Sequence, residues 1–150
     1  MDLEGHSILT DHPKDKGGLT KWGISQAVAR ENGFEGDMAD LTMGTAMKIA
    51  EEKYWNAVKA DELPPELRYC VFDAAFNSGV VPAVRWLQRS VLVKDDGIIG
   101  PKTIEAANKQ DPYKTKAYMC AKRLVFIASL GNFDAFGKGW TRRIARVLEV

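Results

Sequence analysis

Cysteine is scarce in this chain of 150 residues, and the net charge is only +1. The two cysteines, Cys70 and Cys120, lie far apart among apolar residues, which predicts buried free thiols. No CxxC or HExxH spacing occurs, and only His6 and His12 could assist the cysteines, so we expect no metal and no cofactor. The small net charge gives no indication of nucleic-acid binding.

Long apolar runs are also missing, so we expect no stable membrane insertion. The first seven residues, MDLEGHS, do not have the basic stretch and apolar run of a secretory signal peptide. We therefore expect a protein that is made in the cytoplasm and reaches a target outside the membrane only after release. We also expect it to be a monomer.

Helical signals dominate the rest of the chain, in which apolar residues make up 45% and charged residues 27%. Ser25 and Thr42 are suited to cap helices, and Pro65, Pro101 and Pro112 are suited to first turns. Apolar spacing and caps predict helices over 25–32, 43–57, 65–77, 82–91, 101–108, 112–130 and 139–148. A short β-hairpin is expected only within 6–24. The prediction is a mainly α domain with a single core.

The opening stretch has the most unusual chemistry, because glycines surround two acids and a threonine. Glycosidic cleavage needs a carboxylic acid to protonate the leaving oxygen and a second group to activate water or stabilise the sugar cation. Glu4 is the candidate acid, and Asp15 or Thr20 is the candidate second group. A surface loop that needs turns explains the same composition, so the residues alone leave both interpretations open.

A longer pattern within this stretch is more specific. After Glu4-Gly5, the chain reads Pro13-x-Asp15-x-Gly17-Gly18-x-Thr20-x-x-Gly23-Ile24-Ser25. This run resembles the signature of glycoside hydrolase family 108, the bacterial and phage N-acetylmuramidases, with Ser25 in place of Thr. The resemblance implies a lysozyme-like helical fold and Glu4 as catalytic acid. It also implies a substrate of peptidoglycan glycan strands, cleaved as by a phage endolysin that lyses its host.

Several further residues are candidates for contact with the glycan. Sugar rings stack on exposed aromatic faces, so Trp22, Tyr54 and Trp55 are predicted to line the glycan groove. Asn77 could donate to a sugar, or it could simply end a helix before Gly79. Asp73 lies within an apolar helix and is interpreted as a buried structural acid rather than a catalytic one.

The second half of the chain carries a different motif. Trp86-Leu87-Gln88 is followed by Asp96-Gly97-Ile98-Ile99-Gly100-Pro101-Lys102-Thr103, which resembles a predicted peptidoglycan-binding domain that accompanies the family. Asp96-Gly97 predicts a turn, and Thr103 is suited to cap the next helix. We therefore expect one lysozyme-like domain over 1–150, with a catalytic half over 1–79 and a peptidoglycan-binding-like half over 80–150.

Three alternatives stay open. A lytic transglycosylase also uses one glutamate, but the sugar's own 6-hydroxyl attacks and gives an anhydro product. A wall-binding or secretion-accessory module without catalysis is favoured by His6-Ser7, which stands where the family has Gly-Tyr. A helical DNA-binding protein that uses Arg142, Arg143 and Arg146 is the weakest, since such arginines more often form a solvated face.

Overall fold

The protein is mainly α-helical, as predicted. The computed structural model describes residues 8–14 and 17–150, and these ranges contain seven α-helices and one two-stranded antiparallel sheet. The chain divides into two compact units, Met1–Lys53 and Tyr54–Val150. The sequence-based division at residues 79 and 80 stays a prediction.

The first unit contains the hairpin. Strands β1 (Thr20–Lys21) and β2 (Ile24–Ser25) pair antiparallel and are joined by Trp22 and Gly23. Both joining residues have positive φ, 55° and 76°, and such two-residue turns match the right-handed twist of the paired strands. The hairpin expected within 6–24 is confirmed, and its second strand runs one residue further.

Two short helices follow in this unit, and polar caps start both of them. Helix α1 (Gln26–Glu31) begins after Ser25, whose side chain accepts from the amide of Val28 at 3.3 Å. Helix α2 (Met43–Ala50) begins after Thr42, whose side chain accepts from the amide of Thr45 at 3.2 Å. Both caps were predicted, because they act within three residues along the chain.

The helix predicted over 43–57 is interrupted. After α2 the backbone widens into a π-helical turn over Glu51–Trp55, and a 3-10 turn follows at Ala60–Glu62. A π turn holds more residues than an α turn, so it changes the direction of the following side chains. Apolar spacing alone did not reveal this change, because Tyr54 also continues the α-helical spacing of the preceding apolar residues.

Five longer helices build the second unit, and their bounds are α3 (Pro65–Ser78), α4 (Val80–Ser90), α5 (Pro101–Lys109), α6 (Pro112–Ala128) and α7 (Phe133–Glu149). The proline starts of α3, α5 and α6 agree with the predictions. Helix α7 starts six residues before the predicted start at Gly139. Its interior contains two glycines, which normally disfavour a helix, and this is why the sequence predicted a later start. Helix α3 packs against α4, α6 and α7 and is central in the unit.

The core of the second unit is apolar and almost fully buried. Its members come from all five helices and from the turns between Val58 and Leu63. Cys70 on α3 and Cys120 on α6 belong to this core as free thiols, which confirms the prediction. The hydrogen bond that the Cys70 thiol donates to Cys120, together with burial, raises the pKa of Cys70 well above its ordinary value, so this thiol stays protonated.

Buried Gln88 organises the turn between α4 and α5. Its side-chain Nε2 donates to Asp96 Oδ1 at 2.9 Å, to the carbonyl of Ile98 at 3.0 Å and to Thr103 Oγ1 at 3.2 Å. Its Oε1 accepts from the amide of Gly97 at 2.9 Å. The prediction that Thr103 caps α5 is wrong: Gly100 holds the cap position, and Thr103 lies inside the helix, where it accepts from the core glutamine.

Candidate functional site

Two residues of the predicted catalytic trio, Glu4 and Asp15, lie outside the described residues. Thr20, the third, lies on β1 and is partly buried. Its hydroxyl donates to the carbonyl of Gly18 at 2.9 Å, and Gly18 has a positive φ of 64°. Because the single hydroxyl proton is used in this way, the oxygen of Thr20 is left to act as an acceptor towards a water or a sugar hydroxyl.

The backbone of Thr20 is held on both sides. Its carbonyl accepts from the amide of Thr10 at 2.9 Å, and its amide donates to the carbonyl of Thr10 at 2.8 Å. On the other side it pairs with Ser25 across the hairpin. A residue whose backbone is paired on both sides keeps a defined orientation, which is what a group that positions a reactant requires.

Trp22 occupies the tip of the hairpin in the left-handed region, which is rare for a bulky residue. Its indole Nε1 donates to the carbonyl of Leu41 at 2.9 Å, and the neighbouring Lys21 donates through Nζ to the carbonyl of Ala39. The ring is partly buried, so part of its surface is open to solvent. These contacts tie the hairpin to the 38–41 segment and fix the direction of the ring.

In the second unit, Tyr54 and Trp55 belong to a group of rings that we call the aromatic cluster: Tyr54, Trp55, Phe72 and Phe76. Tyr54 meets Phe76 edge to face with ring centroids 5.1 Å apart, and Trp55 meets Phe72 in the same way at 5.6 Å. Phe72 and Phe76 are 5.9 Å apart. All four are partly buried, so each pairs packing on one side with an exposed remainder. Sequence reasoning assigned no site role to Phe72 or Phe76, although their spacing of one helical turn was visible.

Asn77 lies in the last turn of α3, which ends at Ser78 before Gly79. It is partly buried, and its side-chain amide makes no hydrogen bond within residues 8–14 and 17–150. Phe76 precedes it in the chain, so the amide and the aromatic cluster belong to the same end of α3. The sugar contact expected of this amide stays a prediction.

About one helical turn before Asn77, α3 carries a buried ionic group. Asp73 is 1% exposed, accepts from Arg123 Nη2 at 2.8 Å and accepts from Arg143 Nε at 2.7 Å. Arg123 is fully buried on α6, whereas Arg143 on α7 keeps 27% of its side chain exposed. The interpretation of Asp73 as a buried structural acid is confirmed. Nothing local in the sequence indicated the two arginines as its partners.

A metal-dependent or membrane-spanning site finds no support in the part of the chain that the structure describes. There, no three of the His, Cys, Asp and Glu side chains gather as ion ligands do. Also within that part, no helix has the length and apolar character needed to cross a bilayer.

Comparisons with known proteins agree with this architecture. Residues 1–79 match the model of the family described as glycosyl hydrolase 108, and residues 82–145 match the model described as predicted peptidoglycan domain. Among curated proteins, none matches this chain. The solved structure of Brucella abortus SagA is similar, with a TM-score of 0.88 and 38% sequence identity over 98% of this chain and 87% of that chain.

The match over 1–79 includes the predicted signature. The structural similarity covers 98% of this chain and therefore includes residues of both units. The predicted lysozyme-like, mainly α fold is thereby confirmed. The two matched families also support a glycosidase that acts on or binds peptidoglycan. The chain belongs to the glycosyl hydrolase 108 family.

Proposed function

We propose that the protein hydrolyses the β-1,4 bond between N-acetylmuramic acid and N-acetylglucosamine, with Glu4 as general acid. The observation that carries this proposal is the signature run from Pro13 to Ser25, which follows Glu4-Gly5 inside the region matched by the family model. One carboxylic acid and one group that holds water are the minimum that glycoside hydrolysis needs.

Three residues carry this mechanism. Glu4 protonates the leaving glycosidic oxygen, while Asp15 stabilises the positive charge that develops on the sugar or activates the attacking water. Thr20 orients that water through its free acceptor oxygen, a part that its hydrogen bond to Gly18 favours. No step needs a metal or a cofactor.

Four residues are proposed to hold the glycan strand. Trp22 offers the exposed part of a ring that is fixed by its bond to Leu41. Tyr54 and Trp55 offer the exposed parts of the aromatic cluster, and Asn77 offers its side-chain amide, which has no hydrogen bond within the described ranges. Stacking on sugar rings and amide hydrogen bonds to acetamido groups suit these side chains.

The decisive experiment compares the parent with Glu4→Gln in a turbidity assay on cells with a permeabilised outer membrane. We expect the rate to fall by about 100-fold or more, because the amide cannot deliver the proton. Glu35→Gln is the matched control, since Glu35 is an exposed acid of the same unit. The proposal fails if Glu4→Gln, folded by circular dichroism, lyses the walls at the parent rate.

Mass spectrometry of the released fragments identifies the reaction. Hydrolysis leaves a reducing end on N-acetylmuramic acid, whereas a lytic transglycosylase leaves an anhydro sugar that is lighter by one water. We expect reducing ends. Retention on peptidoglycan without any released sugar would identify a binding module instead.

The proposal extends to the place of action. We propose that the protein is made in the cytoplasm and attacks the periplasmic wall after release, as a phage endolysin does in host lysis. Expression in the cytoplasm of a test bacterium should leave cells intact until the inner membrane is permeabilised with chloroform. Lysis without permeabilisation contradicts this part of the proposal.

A further inference from the structure

The ionic group around Asp73 carries more positive than negative charge. One carboxylate serves both Arg123 and Arg143, and both of its oxygens are used. Arg123 is fully buried, and its Nε and Nη1 have no hydrogen-bond partner among residues 8–14 and 17–150. Two guanidinium groups share a single carboxylate, so the net positive charge of this group favours an additional anion nearby.

Arg143 is the member of this group that a ligand can reach. Its Nε is engaged by Asp73, and its guanidinium carbon lies 5.6 Å from the centroid of the Phe76 ring. The two terminal nitrogens, Nη1 and Nη2, donate to no residue in the described ranges, and 27% of the side chain is exposed. The side chain is thus fixed by an ion pair and a ring, with its open edge free to bind a planar anion.

Two neighbours share this electrostatic environment. Arg146 is exposed and follows Arg143 by three residues on α7, so both lie on one side of the helix. Tyr69 on α3 is partly buried. Burial and then Asp73 raise its pKa, while Arg143, Arg123 and Arg146 act in the lowering direction. The negative charge of Asp73 therefore lies near the positive charges of three arginines.

We propose that Arg143, with Arg146 beside it, binds a carboxylate of the peptidoglycan stem peptide. The identity of the ligand rests on the proposed function, because peptidoglycan is the anionic polymer that such an enzyme meets. A carboxylate matches the two parallel donors of a guanidinium edge, whereas neutral sugar hydroxyls do not need its charge. Phe76 links this arginine to the aromatic cluster, so the peptide is recognised next to the proposed glycan contacts.

The test measures binding of a soluble disaccharide–tetrapeptide by isothermal titration calorimetry. The full-length parent is compared with Arg143→Gln, Arg146→Gln and Arg142→Gln. Arg142 is the matched control, because it is exposed in the same helical turn and has no ion pair within the described ranges. We expect Arg143→Gln to weaken binding about tenfold, Arg146→Gln to weaken it less, and Arg142→Gln to leave it within about twofold.

A second arm uses only the parent protein, so it is independent of the folding of any variant. The same disaccharide–tetrapeptide with its carboxylates converted to amides should bind as weakly as the native compound binds to Arg143→Gln. Equal binding of the native and amidated compounds overturns the proposal. Inorganic phosphate that displaces the native compound at a lower concentration than acetate overturns the carboxylate assignment.

The two proposals fail in different ways. If the parent releases reducing ends from walls while Arg143→Gln and amidation have no effect, only the carboxylate site is disproved. If the parent neither binds the disaccharide–tetrapeptide nor releases reducing ends, the proposed hydrolase function is disproved.

Discussion

Asp73 illustrates how a single side chain acquires its role from distant partners. It is followed in the chain by apolar residues and packs in the core, yet it is charged and satisfied by two arginines. A buried ion pair adds little net stability compared with apolar residues, but removal of one partner is expensive. Asp73 is therefore required to compensate the charge of the arginines in this core.

Replacement of this carboxylate should reveal that requirement. We expect Asp73→Asn to lower the free energy of unfolding by about 3–5 kcal/mol, because Arg123 would be left buried and uncompensated. Urea denaturation followed by circular dichroism measures the change. Asp61→Asn, at an exposed position of the same unit, should change it by less than about 0.5 kcal/mol. A similar loss in both variants would contradict the argument.

Asp96 provides a pH-dependent contribution. The amide of Ile98 and the side chain of Gln88 hydrogen-bond its charged form and hold its pKa below the ordinary 3.8. A lowered pKa means that the folded state is stabilised above this pH range and loses that contribution as pH falls through the lowered pKa. NMR titration should place the midpoint below 3.8. Gln88→Ala should raise it, and a parent midpoint at or above the ordinary value would refute the assignment.

At the level of elements, local signals decide where helices start, and packing decides how far they run. Caps at Ser25 and Thr42 and the proline starts were predicted, because each acts within a few residues. The π turn after α2 and the early start of α7 were missed. The glycines of α7 disfavour a helix locally, but burial of one of them, together with Ile144 and Val147, supports the longer helix.

Those glycines offer a matched pair of substitutions. A Cβ on Gly139 meets nothing within 4 Å, whereas a Cβ on Gly137 would lie 2.5 Å from the Phe133 ring. We expect Gly139→Ala to stabilise the protein by about 0.5–1 kcal/mol through helix propensity. Gly137→Ala should destabilise it by about 1 kcal/mol or more, because Phe133 packs on the core and must move. Urea midpoints separate the two, and equal shifts would disprove the packing argument.

Across the entire chain, the net charge of +1 hides a strong division. Residues 1–79 hold eight Lys and Arg against fourteen Asp and Glu, whereas 80–150 hold thirteen against six. The basic stretch coincides with the match to a predicted peptidoglycan domain, whose ligand carries carboxylates. An attraction between the basic stretch and the peptidoglycan carboxylates is electrostatic, so salt screens it.

Association with purified peptidoglycan should therefore weaken as salt increases. We expect the bound fraction of the intact protein to fall several-fold between about 50 and about 500 mM NaCl, since the Debye length shrinks over this range. Co-sedimentation at each salt concentration measures it. Peptidoglycan with amidated carboxylates is the control and should bind weakly at every concentration. Binding that does not depend on salt would contradict an electrostatic contribution.

Much of this protein could be predicted from short stretches of sequence. Most helix starts, the hairpin and the free thiols follow from patterns of a few to about a dozen residues, and the family signature lies within the first 25, because capping, turn formation and apolar spacing are local effects. The partners of Asp73 could not be predicted in that way. They lie 50 and 70 residues further along the chain, and only the packing of α3 against α6 and α7 brings their charges together in the core.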